Sequence, residues 1–107
     1  MFDPASIDWR ETRHNGVFLH FPRRDEATGN TTVFIRMLPG CAYPAHRHNG
    51  VEEVLVLRGG YRDDRGEHRA GDYVVNDAGS IHRPVALDGP ADCIMFAVAH
   101  GGIDLIK

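Results

Sequence analysis

Hydrophobic and polar positions in this chain change over every one or two residues, in short runs that glycine and proline repeatedly cut. No window of a dozen residues holds apolar positions at the three-and-four spacing of an amphipathic helix, so strands are predicted throughout. Residues 16–21 (GVFLHF) read as a first strand, ended by Pro22 and the polar loop RRDEATGN. Residues 31–38 (TTVFIRML), rich in β-branched and aromatic side chains, form a second that stops at Pro39-Gly40. A strand carrying His46 and His48 follows, then the apolar residues 53–57 (EVLVL), bounded by Gly59-Gly60. Tyr61-Arg62 starts another short strand, turned by Asp63-Asp64-Arg65-Gly66, whose composition suits a type I turn followed by a left-handed glycine. Residues 72–76 (DYVVN) lead into a turn at Asp77-Ala78-Gly79-Ser80. Pro84 interrupts residues 81–87, making that segment an edge or irregular strand, and residues 92–99 (DCIMFAVA) close the set.

Strands about ten residues apart with turn signals between them point to an antiparallel sandwich or barrel. The chain has 107 residues, enough for one domain with its own core. Residues 1–15 lack periodicity and are expected to lie across the barrel as an N-terminal arm anchored by Trp9, leaving 16–107 as the barrel. Lys plus Arg number 12 against 15 Asp plus Glu, with no run of five like charges, so neither a basic stripe for nucleic acid nor an acidic tail is present. The opening MFDPASIDWRE lacks the basic start and apolar core of a signal peptide, and nowhere do 18 apolar residues run together. A cytoplasmic protein with no membrane or nucleic-acid partner is the expectation. Cys41 and Cys93 stand too far apart for a CxxC pair and are expected to be reduced core residues. The glycosylation pattern at Asn30-Thr31-Thr32 then reads as a chance match.

Candidate chemistry concentrates between Gly40 and Gly60. His46 and His48 stand two apart, so on a strand both imidazoles leave one face, roughly 7 Å apart along the chain. A divalent metal would need a carboxylate beside them, from Glu52 or Glu53. A two-residue hairpin at Asn49-Gly50 would pair His46 with Glu53, whereas a three-residue loop would pair His48 with Glu52. Asn-Gly favours the shorter turn because both residues accept positive φ, but local physics leaves the two alternatives open. The remaining histidines, His14, His20, His68 and His100, sit among polar or glycine-rich residues and read as solvated imidazoles.

Two motifs make the chain recognisable. Gly40, five residues, His46-Arg47-His48, three residues, Glu52 and then Gly59 form the first; Gly71, DYVVN, Gly79 and His82 form the second. In this order and at this spacing the sequence resembles the cupin superfamily, with Asp77 where a proline is usual and Ala86 where an asparagine often ends the motif. From about Thr32 to Phe96 it is most similar to ChrR-type cupins, which occur both as the sensor half of zinc-dependent anti-sigma factors and as small free-standing proteins; their relatives include acetylacetone-cleaving dioxygenases. The resemblance implies an antiparallel double-stranded β-helix, the jelly-roll cupin barrel, with Glu52 rather than Glu53 as the carboxylate. It also implies His82 as a fourth ligand to one divalent ion, for which zinc, iron, manganese and nickel all suit the donor set. Strand parity with Glu52 places Val54 and Val56 towards the pocket, and Leu55 and Leu57 outward, where a homodimer interface is expected. Arg36 and Tyr43 are further pocket candidates, Arg36 as a partner for an anionic or enolate oxygen. Two functions follow from the resemblance: a dioxygenase acting on a small enolisable, diketone-like compound, or a non-catalytic metal-binding sensor that responds to a small molecule.

Overall fold

The computed structural model describes residues 2–106. After a 3-10 turn at Pro4–Ser6, whose first amides are capped by Asp3, the chain forms β1 (Arg10–Glu11), β2 (Val17–Arg24), β3 (Thr31–Met37), β4 (His46–His48), β5 (Glu52–Arg58) and β6 (Gly60–Asp63). It continues as β7 (Gly66–Arg69), β8 (Tyr73–Asn76), β9 (Ile81–His82), β10 (Val85–Ala86), β11 (Cys93–Ala99) and β12 (Ile103–Leu105). Among the described residues no helix is long and apolar enough to cross a membrane.

Alternation decides how the strands stack. In β3 the buried residues are Val33, Ile35 and Met37, and in β5 they are Glu52, Val54 and Val56. Each strand therefore turns one set of side chains inward, as a period of two requires. A six-stranded antiparallel sheet in the order β1-β2-β3-β11-β5-β8 carries most of this inner face. Two three-stranded sheets, β10-β6-β7 and β12-β4-β9, lie opposite. Tyr61 and Ala86 of the first small sheet join Val17, Val33, Met37 and Val56 in one core, so the layers close into the expected double-stranded β-helix. Burial of each valine or methionine side chain among them stabilises by roughly 1.5–3 kcal/mol, before the entropy of ordering it is set against the gain.

Three expectations change. The first strand does not end at Pro22 but runs to Arg24, with a register shift between His20 and Arg23. Proline is tolerated there because a bulge leaves its missing amide donor without a required partner. A strand at the C-terminal end, β12, was not foreseen; it pairs Ile103 with His48 and Leu105 with His46. Most consequentially, β4 and β5 form no hairpin. β4 lies between β12 and β9, while β5 lies between β11 and β8, so Asn49-Gly50-Val51 carries the chain from one sheet to another. Neither Asn49 nor Gly50 has a positive φ. Glycine is needed at position 50 for another reason: a Cβ there would collide with the carbonyl oxygen of His100.

The N-terminal residues follow the six-stranded sheet. β1 pairs with β2 through Arg10 and Leu19, and Phe2 stacks on the outward Phe34 at 6.1 Å between ring centroids. Trp9 is half-buried, and its indole nitrogen donates to the Pro4 carbonyl at 3.0 Å.

Candidate metal centre

Each of the four candidate side chains is aimed by a strand. His46 and His48 share the inner face of β4 with Arg47 outward between them, and both are buried. His82 pairs with His46 in the β4–β9 register, so the two side chains leave the same face. Glu52 is set by its neighbours on both sides, Ala99 and Asn76, and faces inward with them. Glu53 points the other way, to Tyr73 and His100 on the outer surface. The register of β5 within the large sheet, rather than a turn at Asn49-Gly50, thus settles which glutamate faces the histidines.

The four donors converge, with one ligand atom from each lying within 4.8 Å of all the others. His46 Nε2 is 3.2 Å from His48 Nε2 and 3.0 Å from His82 Nε2, and His48 Nε2 is 3.2 Å from Glu52 Oε1. The opposite ring nitrogens are all committed elsewhere. His46 Nδ1 donates to the Pro44 carbonyl at 2.9 Å, and His48 Nδ1 reaches the Ser80 carbonyl and hydroxyl at 3.1 and 2.9 Å. His82 Nδ1 donates to Asp63 Oδ2 at 2.9 Å. Carbonyl and carboxylate partners accept hydrogen bonds, so each imidazole carries its proton on Nδ1 and turns an Nε2 lone pair inward.

Three lone pairs and a carboxylate oxygen at this separation repel one another unless a cation or proton lies between them. Protonation is disfavoured. Burial pushes His46 down to about 4, against the raising effect of its bond to Pro44, and the neighbouring His82 and His48 depress it further. Burial also lowers His82, despite its bond to Asp63. For Glu52, burial would raise the carboxyl, but the neighbouring His48 ring and the hydrogen bond donated by Asn76 outweigh it and hold the group below its ordinary value. The donor set therefore fits a divalent metal ion: neutral imidazoles, an ionised carboxylate and outer hydrogen bonds that fix each ring.

The site opens on a cavity of about 250 Å³. His46, Glu52 and His82 line it, together with Val33, Ile35, Val54 and Met95. Tyr43 lines it too and meets His46 edge-to-face at 5.1 Å between centroids; burial, reinforced by Glu52, pushes its phenol up to about 12. Val56 has the inward parity expected but lies in the packed core beyond the cavity wall. Arg36 is a correction. It shares the outer face of β3 with Phe34, pairs with Asp92 at 2.7 Å and lies over Trp9 and Phe18.

Four participants were not recognised from sequence. Asn76 donates to Glu52 Oε1 at 3.0 Å and is itself held by Arg65, while Ser80 orients His48. Asp63 bridges His82 and His68, accepting from His68 Nε2 at 3.0 Å, so His68 is a bonded, largely buried group rather than a solvated one. Arg24 lines the cavity from the extension of β2 beyond Pro22. Parity offered a signal for two of them: Asp63 is two residues from the buried Tyr61, and Asn76 is two from the buried Val74.

Comparison with known proteins places this architecture. The family model described as the ChrR cupin-like domain matches residues 1–104. Anti-sigma-E factor ChrR of Cereibacter sphaeroides is 45% identical over 58 residues, which cover 54% of this chain and 27% of that protein. A chain in the crystal structure of Rhodobacter sphaeroides SigE in complex with the anti-sigma ChrR superposes with a TM-score of 0.78 at 34% identity, covering 91% of this chain and 50% of that one. The chain thus spans about a quarter of the curated relative and half of the solved one. An acetylacetone dioxygenase from Acinetobacter johnsonii shares the fold, with a TM-score of 0.77 at 16% identity over 86% of this chain and 64% of that one. With both motifs in place and the family model spanning almost its full length, this chain belongs to the ChrR cupin-like domain family.

Proposed function

We propose that the chain holds one divalent metal ion through His46, His48, Glu52 and His82, and that a small enolisable compound of diketone type reacts with dioxygen there. The observation that carries this reading is the convergence of three imidazoles and a carboxylate at the wall of an apolar cavity. Four protein donors leave one or two positions of a five- or six-coordinate ion for a ligand. When bound, the metal supplies Lewis acidity and exchangeable positions, with iron, manganese, nickel and zinc all compatible with imidazole and carboxylate. The chain's own residues prepare that chemistry. Pro44, Ser80 and Asp63 hold the rings in the tautomer that faces inward, and Asn76 steadies Glu52. Val33, Ile35, Val54 and Met95 exclude water, and Tyr43 keeps its proton at neutral pH and can donate to a ligand oxygen.

A second reading is favoured by the family itself: a regulatory metal-binding domain whose partner is a protein, as SigE is for the ChrR of the solved complex. Both readings place the protein in the cytoplasm. In both, a homodimer would form through the outer face of β5 and β8, where Leu55, Tyr73 and Val75 are exposed. Oxygen uptake by iron-loaded protein, screened over diketones and hydroxy-aryl ketones, separates the two. Consumption with one class of these compounds supports the oxygenase; silence across the panel together with tight zinc binding leaves the regulatory domain.

A further inference from the structure

The cavity lining carries groups of opposite charge. His46, His82 and the ionised Glu52 line it as largely buried groups, whereas Arg24, three strands from Glu52 across the large sheet, is an exposed residue of β2. Arg24 reaches this position because of the bulge in β2. Beyond the register shift, Arg23 pairs with Thr32 and Arg24 with Thr31. Paired residues share a face, and Thr31 lines the cavity with Val33 and Ile35 whereas Thr32 lies on the outer face with Phe34. Without the extra residue at Phe21-Pro22, Arg23 would take the inward position instead; the bulge re-aims the strand by one side chain.

The guanidinium is also held. Its central carbon lies over the Phe21 ring, 3.7 Å from the centroid, so the cation sits on an aromatic wall of the cavity. Among the described residues no carboxylate pairs with it; the arginine ion pairs present are those of Arg10, Arg36 and Arg69. A second donor lacks a partner as well. Tyr61 lines the same cavity, is 1% exposed, and its buried hydroxyl makes no hydrogen bond among the described residues. An unsatisfied buried hydroxyl is costly unless a ligand or water answers it.

We propose that the cavity selects a small anion: an enolisable, oxygen-chelating compound whose distal carboxylate is captured by Arg24 and whose chelating end lies at the histidines. The proposal rests on reading the cavity as the site of an enolisable ligand and adds the charge of that ligand and its orientation. Glu52 beside the histidines repels a carboxylate, so the anionic group points away from it, towards β2, where the exposed Arg24 offers a planar two-donor fork. The cavity is smaller than a pocket for drug-sized ligands, which limits the spacer between the two ends to a few carbons.

Two probes differing in one carboxylate test this: 4,6-dioxoheptanoate and neutral heptane-2,4-dione, titrated calorimetrically into zinc-loaded protein at pH 7.5 and one salt concentration. Wild type should prefer the carboxylate on the order of tenfold, the size of a charge-assisted contact discounted for exposure. Arg24→Gln should remove that preference and leave the neutral dione unchanged, while Arg23→Gln, one residue away on the outer face, should leave both affinities unchanged. Equal affinities in wild type, a preference that survives Arg24→Gln, or one lost equally in Arg23→Gln would overturn the proposal while leaving the enolisable-ligand reading intact. Binding of neither probe by zinc-loaded wild type would remove that reading and this proposal together.

Discussion

Asp63→Asn should weaken metal binding without touching a metal ligand. The Asp63 side chain is fully buried, and its two oxygens accept from His82 Nδ1 at 2.9 Å and from His68 Nε2 at 3.0 Å. A further bond from the Arg65 amide at 3.0 Å fixes the carboxylate on its strand. Burial alone would raise this carboxyl, but the bonds from His82 and His68 outweigh it and hold the group below its ordinary value. Asparagine keeps the shape but loses the charge, and its amide offers one accepting atom where two are needed. The bond to His82 becomes neutral, about half as strong, or His82 is left to turn its ring. Loss of such an outer partner lowers metal affinity about 10- to 100-fold, equivalent to about 1.4–2.7 kcal/mol. Competition for zinc against a chromophoric chelator at pH 7.5 reads this directly. Asp92→Asn, which breaks the remote Arg36 pair, serves as the charge control. A zinc affinity for Asp63→Asn within twofold of wild type, or an equal loss in Asp92→Asn, would refute the role given to Asp63.

Three further outcomes follow from the same geometry. Metal-free protein should lose stability on acidification between pH 6.5 and about 4: the unfolded chain takes up a proton near 6.5, whereas folded His46 resists until about 4. The stabilising contribution is fully present above 6.5 and is lost as pH falls, by on the order of 3 kcal/mol, with His82 acting in the same sense; urea unfolding at pH 7.5, 6, 5 and 4.5 would contradict this by showing no decline. Gly50→Ala should destabilise by about 2 kcal/mol or more, because the new methyl meets the backbone of His100 rather than a side chain that can move, and the thermal midpoint of the metal-free protein should fall. The proposed homodimer predicts a dimer by sedimentation for wild type and a monomer for Leu55→Glu, which places charge among the exposed apolar residues of β5 and β8; an unchanged dimer in the variant would remove that face as the interface, and a monomeric wild type would remove the homodimer.

Much of the barrel was legible because short strands, glycine-proline punctuation and an H-x-H pair survive without knowledge of neighbours. What failed to show has physical causes. A turn at Asn49-Gly50 would choose between Glu52 and Glu53 only if the strands adjacent in sequence paired, whereas β4 and β5 enter different sheets. Arg36 could not be assigned a face because β3 is apolar on both sides, with Phe34 packing outward on Phe96 and Val33 and Ile35 packing inward. The strand β12 is three residues long, and its partner β4 lies more than fifty residues earlier, so no local pattern announces it. Proline ends most strands, but Pro22 stands at a bulge, and the continuation beyond it brings Arg24 to the cavity. Asp63 and Asn76 carry no motif, and their partners His82 and Glu52 are 19 and 24 residues away, so their roles depend on topology.

Elemental analysis of protein purified without chelator puts the four-donor site at risk in one measurement. About one divalent ion per chain is predicted for wild type and for Glu53→Gln, whose side chain faces the outer surface, with most of the metal lost in His82→Ala and Glu52→Gln. A metal-free wild-type protein that also fails to take up added zinc, or full occupancy in Glu52→Gln together with loss in Glu53→Gln, would contradict it.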